Sequence, residues 1–192
     1  MELQVVEHRL GEGDTVELGL ASRIIYDIER NGAHHHSGPY SLSGPAHALS
    51  FELVPVHTTG ALLCASVELP SGEQVLIRCD RVDFPPGGVA YLHTHQGPGI
   101  RVLLHGSIRI DTAGTSNRYG PLEAWFEPGP EPVFAAASET EPTAFVRCMV
   151  LPGRLRGQSS IRYVRNEDAA KPKPQSYTVF VDEPLAQTAG AR

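Results

Sequence analysis

Gly87-Gly88-Val89-Ala90-Tyr91-Leu92-His93-Thr94-His95-Gln96-Gly97-Pro98-Gly99-Ile100-Arg101-Val102-Leu103-Leu104-His105-Gly106 is the stretch on which the reading of this chain turns. Two largely apolar runs, Val89–Leu92 and Ile100–Leu104, flank a Gly-Pro-Gly turn, the pattern of two extended strands. Alternate side chains of an extended chain share a face, so His93 and His95 point the same way. Both imidazoles can then reach one metal ion or one substrate. Neutral imidazole carries a lone pair near neutral pH and is the commonest transition-metal ligand. The plainer possibility is two hydrogen-bonded histidines that hold no ligand. The same alternation places Tyr91 beside His93, as a hydrogen-bond donor or acid. Counted from Gly99, it places Arg101, Leu103 and His105 on one inward face. The planar fork of Arg101 suits a carboxylate or phosphate. His105 lies toward the far end of its strand and is a poorer ligand, and Gln96 offers a carbonyl oxygen from the turn.

Strand signals continue on both sides. Residues 48–54, 62–69, 74–83, 107–111, 124–127 and 145–151 read as short strands, with turns at Pro85-Pro86-Gly87-Gly88 and Ala113-Gly114. No window sustains a helical apolar period, and 16 Pro with 19 Gly in 192 residues suit tight turns, so the class is all-β, a sandwich or barrel. Upstream, residues 3–10 and 15–18 flank Gly11-Glu12-Gly13-Asp14 as a hairpin, and residues 23–28 form a further strand. Residues 33–50, rich in His, Ser, Gly and Pro, read as a long loop. Downstream, residues 161–165 and 177–181 alternate like strands, joined by the polar connector 166–176, as an arm that wraps the barrel or crosses to a second subunit. Residues 187–192 are expected to fray.

The spacing of Gly87, His93, His95 and Gly106 resembles the first motif of the cupin superfamily, Gly-x5-His-x-His-x3,4-Glu-x6-Gly. A looser echo of the second motif runs through residues 120–137, around Trp125-Phe126-Glu127-Pro128-Gly129-Pro130. The resemblance covers residues 62–152. It implies a cupin-like antiparallel β-barrel of jelly-roll type there. Residues 1–61 would add N-terminal strands and the His-rich loop to the same domain, and residues 153–192 the C-terminal arm. It also implies a homodimer, and a divalent transition metal (Fe, Zn, Mn or Ni) at the barrel mouth with His93 and His95 among its ligands. Two of the family's usual four ligands are missing: the motif's glutamate falls on Gly99, and the second motif's histidine falls within Pro132-Val133-Phe134. His34-His35-His36-Ser37-Gly38-Pro39 repeats the His-x-His-x-Gly-Pro of residues 93–98. A loop carrying His34 and His36 over the mouth would complete a four-histidine site, but a solvated loop is the preferred reading.

Bulk properties narrow the partners. Hydrophobic residues make up 41% and charged residues 20%, a globular composition. The net charge of -6, from 16 basic and 22 acidic side chains, leaves no basic stripe for a phosphate backbone. Arg147, Arg154, Arg156, Arg162 and Arg165 read as scattered surface charge, so nucleic acid is not an expected partner. Three widely spaced cysteines suggest buried free thiols rather than a disulfide framework. Met1-Glu2-Leu3-Gln4 does not begin a signal peptide, and no run approaches the ~20 apolar residues of a membrane helix, so a cytoplasmic location is expected. The foremost functional reading is a metal-dependent enzyme acting on a small anionic molecule, with His93 and His95 on the metal and Arg101 and Tyr91 as catalytic groups. The alternatives are a non-catalytic small-ligand-binding or regulatory barrel that has lost its metal site, and a dimer whose working part is the C-terminal arm. The missing ligands favour the ligand-binding barrel, whereas the intact histidine pair beside Arg101 favours the enzyme.

Overall fold

The structure, a computed structural model, describes residues 1–69 and 72–185; the fraying expected at 187–192 lies outside them. The N-terminal third builds one antiparallel sheet from β1 (Glu2–Leu10), β2 (Thr15–Asp27), β3 (Gly32–Ser43), β4 (Ala46–Val54) and β5 (Leu63–Ser66), in the order β3-β2-β4-β1-β5. The hairpin expected between the first two strands does not form. The turn closes on itself, with Gly11 N–H donating to Asp14 Oδ2 at 2.8 Å, yet β4 inserts between β1 and β2 and pairs with both. Seven consecutive residues of β4 are buried, which fits the centre of a sheet better than its rim.

The loop expected at 33–50 is instead β3 and the start of β4. An edge strand with one wet face needs no apolar alternation, and β3 takes its register from β2, so its His, Ser and Gly content hid it. Its histidines find local partners. His34 Nε2 lies 3.1 Å from the Tyr40 hydroxyl, and His36 Nε2 donates to the Pro39 carbonyl at 2.9 Å.

Eight strands then form the barrel: β6 (Val75–Phe84), β7 (Val89–His95), β8 (Gly99–His105), β9 (Ile108–Thr112), β10 (Thr115–Tyr119), β11 (Ala124–Glu127), β12 (Val133–Ala137) and β13 (Thr143–Pro152). One sheet runs β10-β9-β12-β7 and the facing sheet β11-β8-β13-β6, all pairs antiparallel. Consecutive strands alternate between the two sheets except β9 and β10, which pair directly, the nested order of a double-Greek-key jelly roll. The short exposed β10 and the alanine-rich β12 carry weak strand signals and were not expected from the sequence.

The C-terminal arm wraps the barrel. β14 (Ile161–Tyr163) extends the first sheet beside β7, and β15 (Ser176–Pro184) extends the second beside β6. A short helix, α1 (Asn166–Ala170), lies in the crossing between them. The sheet β11-β8-β13-β6-β15 is covered on both faces. Ile100, Val102, Val146, Cys148 and Val150 pack outward against Leu3, Val5, Ile24, Leu49 and Phe51 of the N-terminal sheet. Leu103, Phe145, Val82 and Phe84 face inward with Ile108, Ile110 and Trp125. All ten residues of β13 are buried for this reason, so its sequence, Thr143 and Arg147 apart, reads as an apolar run rather than an alternating one. Cys79 and Cys148 sit opposite one another on β6 and β13 as buried thiols, while Cys64 is half-buried. No helix among the described residues is long and apolar enough to cross a membrane.

Candidate functional site

The inner faces of β7, β8, β11 and β13 meet around a small cavity at one end of the barrel. β7 supplies His93 and His95, β8 supplies Arg101, β11 supplies Trp125 and Glu127, and β13 supplies Arg147. Apolar groups, among them Phe84, Phe145 and Val133, close the inner side. The free space left between them is about 20 Å³, room for one water-sized sphere.

The polar groups form a connected chain. His93 Nδ1–H donates to the Tyr91 carbonyl at 2.7 Å, which leaves Nε2 as the lone-pair nitrogen. That atom lies 3.1 Å from His95 Nε2, which in turn is 3.3 Å from Glu127 Oε2. Ser160 Oγ stands 3.4 Å from His95 Nδ1 on the other side. Glu127 Oε1 accepts from the Trp125 indole N–H at 2.9 Å. Its Oε2 is 2.7 Å from Arg101 Nη2, an ion pair in which neither atom has hydrogen-bonding geometry with any described residue. Arg101, only 1% exposed, also donates from Nη1 to the Gly99 carbonyl at 2.6 Å. Arg147 is bidentate on Asp80, at 2.6 and 3.1 Å.

Burial and these pairs set the charge states. Burial pulls the pKa of His93 down, partly opposed by its bond to Tyr91, and pulls that of His95 to about 3, so both rings are neutral at neutral pH. Burial lowers Arg101 to about 10, which still leaves it charged. Burial alone would raise the Glu127 carboxyl, but the Arg101 guanidinium and the His95 contact outweigh it and hold the group well below the usual carboxylate range.

Arg101, His93 and His95 therefore come together, while Tyr91 does not join them. Opposite β12 the register of β7 shifts by one residue, with Val133 facing His93 but Ala135 facing Ala90. This irregularity breaks the alternation that would carry Tyr91 inward. The Tyr91 ring packs instead under Lys171 and Lys173, 4.8 and 5.6 Å from their Nζ atoms, and only its carbonyl serves the site. A similar shift near Ala144 turns His105 to the surface, where it meets Arg81 and the Pro142 carbonyl. Gln96 does not line the cavity, and the local bonds of His34 and His36 keep them out of a four-histidine site.

Glu127 is the group the sequence reading missed. Register places it directly opposite Gly99, the position where the motif has its glutamate. A Cβ at Gly99 would lie 2.6 Å from the Cys148 carbonyl oxygen and 2.8 Å from Met149 Cγ, so that position is closed to any side chain. The acid reaches the same level of the barrel from the neighbouring strand. The signal was present in Ala124–Glu127, where alternation pairs an acidic residue with Trp125 on the inner face.

No family model matches the chain, and no curated protein does. Among solved structures, a cupin 2 conserved barrel domain protein from Leptotrichia buccalis aligns at 16% identity and TM-score 0.47, over 77% of this chain and 89% of that one. AerE from Microcystis aeruginosa aligns at 12% and 0.45, over 79% and 82%. The polyketide cyclase RemF from Streptomyces resistomycificus aligns at 20% and 0.39, over 50% and 63%. The chain thus spans less than two thirds of RemF, as it does of an oxalate oxidase (47%) and of the lyase DddQ from Ruegeria pomeroyi (44%). At these TM-scores the likenesses carry no argument about the fold. The nested jelly-roll order, with His93-x-His95 on the inner face of β7, carries the assignment. The fold is a cupin-like jelly-roll barrel.

The motif's resemblance to the cupins raises the question of a metal, and the donors present can be tested for one. A resident divalent ion needs at least three well-placed donors. The two Nε2 atoms are spaced as two ligands of one ion would be, but the nearest third donor, Glu127 Oε2, already lies against Arg101. The family's other ligand positions are Gly99, which is closed, and the segment holding Val133, whose apolar side chain faces His93. Among the described residues no three His, Cys, Asp or Glu side chains are placed to hold a metal ion. The donor set does not fit a resident metal.

Proposed function

We propose that this cupin binds a small organic molecule at the mouth of the barrel without a resident metal. The observation that carries this reading is the position of Arg101. Its guanidinium lies 2.7 Å from Oε2 of Glu127, the one carboxylate among the described residues that lines the cavity with the histidine pair, and so supplies the positive charge beside it. A divalent ion there would sit beside a buried guanidinium, with Arg147 also lining the cavity, in surroundings that strengthen their repulsion. This supports the ligand-binding reading over the metal-dependent enzyme.

A second, catalytic reading draws on His93. With Nδ1 committed to the Tyr91 carbonyl, Nε2 holds a fixed lone pair and can act as a general base toward a bound molecule, with no metal required. Dimerisation through a sheet edge stands beside both readings as a further proposal.

Metal uptake tests the proposal. Wild-type protein incubated with Co2+ and desalted is expected to retain far less than one equivalent and to show no ligand-field bands. Arg101→Met frees Glu127 Oε2 and is expected to gain cobalt binding. Wild-type protein that retains about one Co2+ per chain, with bands that disappear in His93→Ala, contradicts the proposal.

A further inference from the structure

Outside the barrel mouth lies a groove of about 460 Å³ between β15, β14 and the turn before it. It meets the inner cavity at Ser160, Ile161, Arg147 and Tyr177, three of which line both spaces. Among the described residues, this groove offers free volume large enough for an organic molecule beside the cavity that holds the histidine pair.

Three features of the groove define what it can hold. The first is charge. Its ionic groups are Arg78, Arg147 and Lys173 against Asp80 and Asp182, three cations to two carboxylates. Arg78 is bidentate on Asp182 at 2.9 and 3.0 Å and also donates to the Gln158 and Leu155 carbonyls. Lys173 donates to three backbone carbonyls and lies 4.5 Å from the Tyr163 ring, so its charge is present while its hydrogen bonds are used. The second is Arg147. It spends Nε and Nη2 on Asp80, and among the described residues Nη1 donates to none. Arg147 is 6% exposed and lines both the groove and the inner cavity, so Nη1 is a fixed, charged donor at the junction. The third is the apolar wall. Tyr177, 41% exposed, stands with its ring 5.6 Å from the Arg147 guanidinium, beside Val179 at 56% exposed and the side chain of Ile161. Large apolar groups exposed around a concave surface mark a contact for a flat apolar body.

We infer that the groove seats a monoanionic molecule with a flat apolar body, its anionic end on Arg147 Nη1 and its body against Tyr177. The inference rests on the metal-independent ligand-binding reading above and names the ligand class for it. It also moves the anion anchor from Arg101, whose Nη1 and Nη2 are both engaged by Gly99 and Glu127, to Arg147, whose Nη1 donates to no described residue.

Calorimetric titration with benzoate, and with benzamide as its uncharged counterpart, tests this on chelator-treated full-length protein. Benzoate is expected to bind about ten-fold or more tightly than benzamide, the margin of a hydrogen bond to a charged group. Arg147→Met paired with Asp80→Asn leaves no buried charge alone and is expected to abolish benzoate binding with the melting transition kept. Tyr177→Ala, at an exposed position, is expected to weaken binding several-fold and remains informative if the double variant does not fold. Equal affinity for benzamide, undiminished binding in the double variant, or no benzoate binding with or without added metal would overturn the Arg147 assignment. Benzoate binding that appears only after reloading with Zn2+ or Fe2+ would instead overturn the metal-independent reading.

Discussion

Glu127 and Arg101 bury opposite charges side by side, and each sets the state of the other. Loss of one partner from such a pair leaves a stranded charge that costs about 3–5 kcal/mol, so neither is free to serve a ligand without rearrangement. The same interplay of burial and charge acts away from the barrel. His8 on β1 is buried with its Nε2 2.8 Å from Ser50 Oγ, and burial lowers its pKa despite the nearby Glu52 carboxylate. A histidine held below its unfolded value of about 6.5 contributes stability that is fully present above that pH and is lost as pH falls toward the folded pKa. Thermal melting across about pH 7 to pH 5 should therefore show a shallower loss of Tm in His8→Gln than in the wild type; an unchanged slope would show that His8 is not held neutral. At this scale the sequence showed His93, His95 and Arg101 correctly as neighbours, because alternation is a local property. It did not show Glu127 as their partner. That contact depends on β11 pairing with β8, between residues 28 positions apart at Glu127 and Gly99, and no local pattern encodes it.

Strands carry the site through their irregularities as much as through their regular stretches. One extra residue in β7 opposite β12 sends Tyr91 away from His93, and a shift between β13 and β8 sends His105 to the surface. Bulges follow from the fit of a closed barrel and are invisible to a period-two reading. The same limit explains β3, a polar edge strand with the composition of a loop, and β4, which pairs with both β1 and β2 where a hairpin between those two is expected. Glycine spacing, by contrast, was legible, since the motif glycines mark positions the backbone needs. Gly106 adopts a φ of 78°, and an added Cβ there would lie 2.4 Å from Thr143 Oγ1. Gly99 is the sharper test, because its place in β8 leaves a side chain nowhere to go. Gly99→Ala should lower stability by about 1–3 kcal/mol through overpacking against Cys148 and Met149, as read by chemical denaturation. A neutral substitution would mean that β8 and β13 are less closely packed than described.

The whole molecule is three sheets deep, and the middle one belongs to two cores at once. Ile100, Val102, Val146, Cys148 and Val150 lie on the outer side of the barrel wall, yet all are fully buried because the N-terminal sheet covers them. The region resembling a cupin, residues 62–152, is therefore expected not to be self-sufficient, although the sequence resemblance ends at its borders. A fragment beginning at Leu62 should aggregate or bind a hydrophobic dye strongly, since it exposes a continuous apolar sheet face. A monomeric fragment with a cooperative melt would show that the N-terminal sheet is an accessory layer. The all-β class and the barrel were legible at this scale from turn spacing and the His-x-His strand. The third sheet was not, because its strands announce themselves singly and their stacking is long-range.

Metal analysis of the purified, tag-free protein tests the central claim most directly, repeated after reconstitution and on a His93→Ala/His95→Ala variant. With Arg101 as the cation beside Glu127, iron, zinc, manganese and nickel should all remain well below one equivalent in both proteins. Near-stoichiometric metal in the wild type that vanishes in the double variant would contradict this, and would place the ion where Arg101 now meets Glu127.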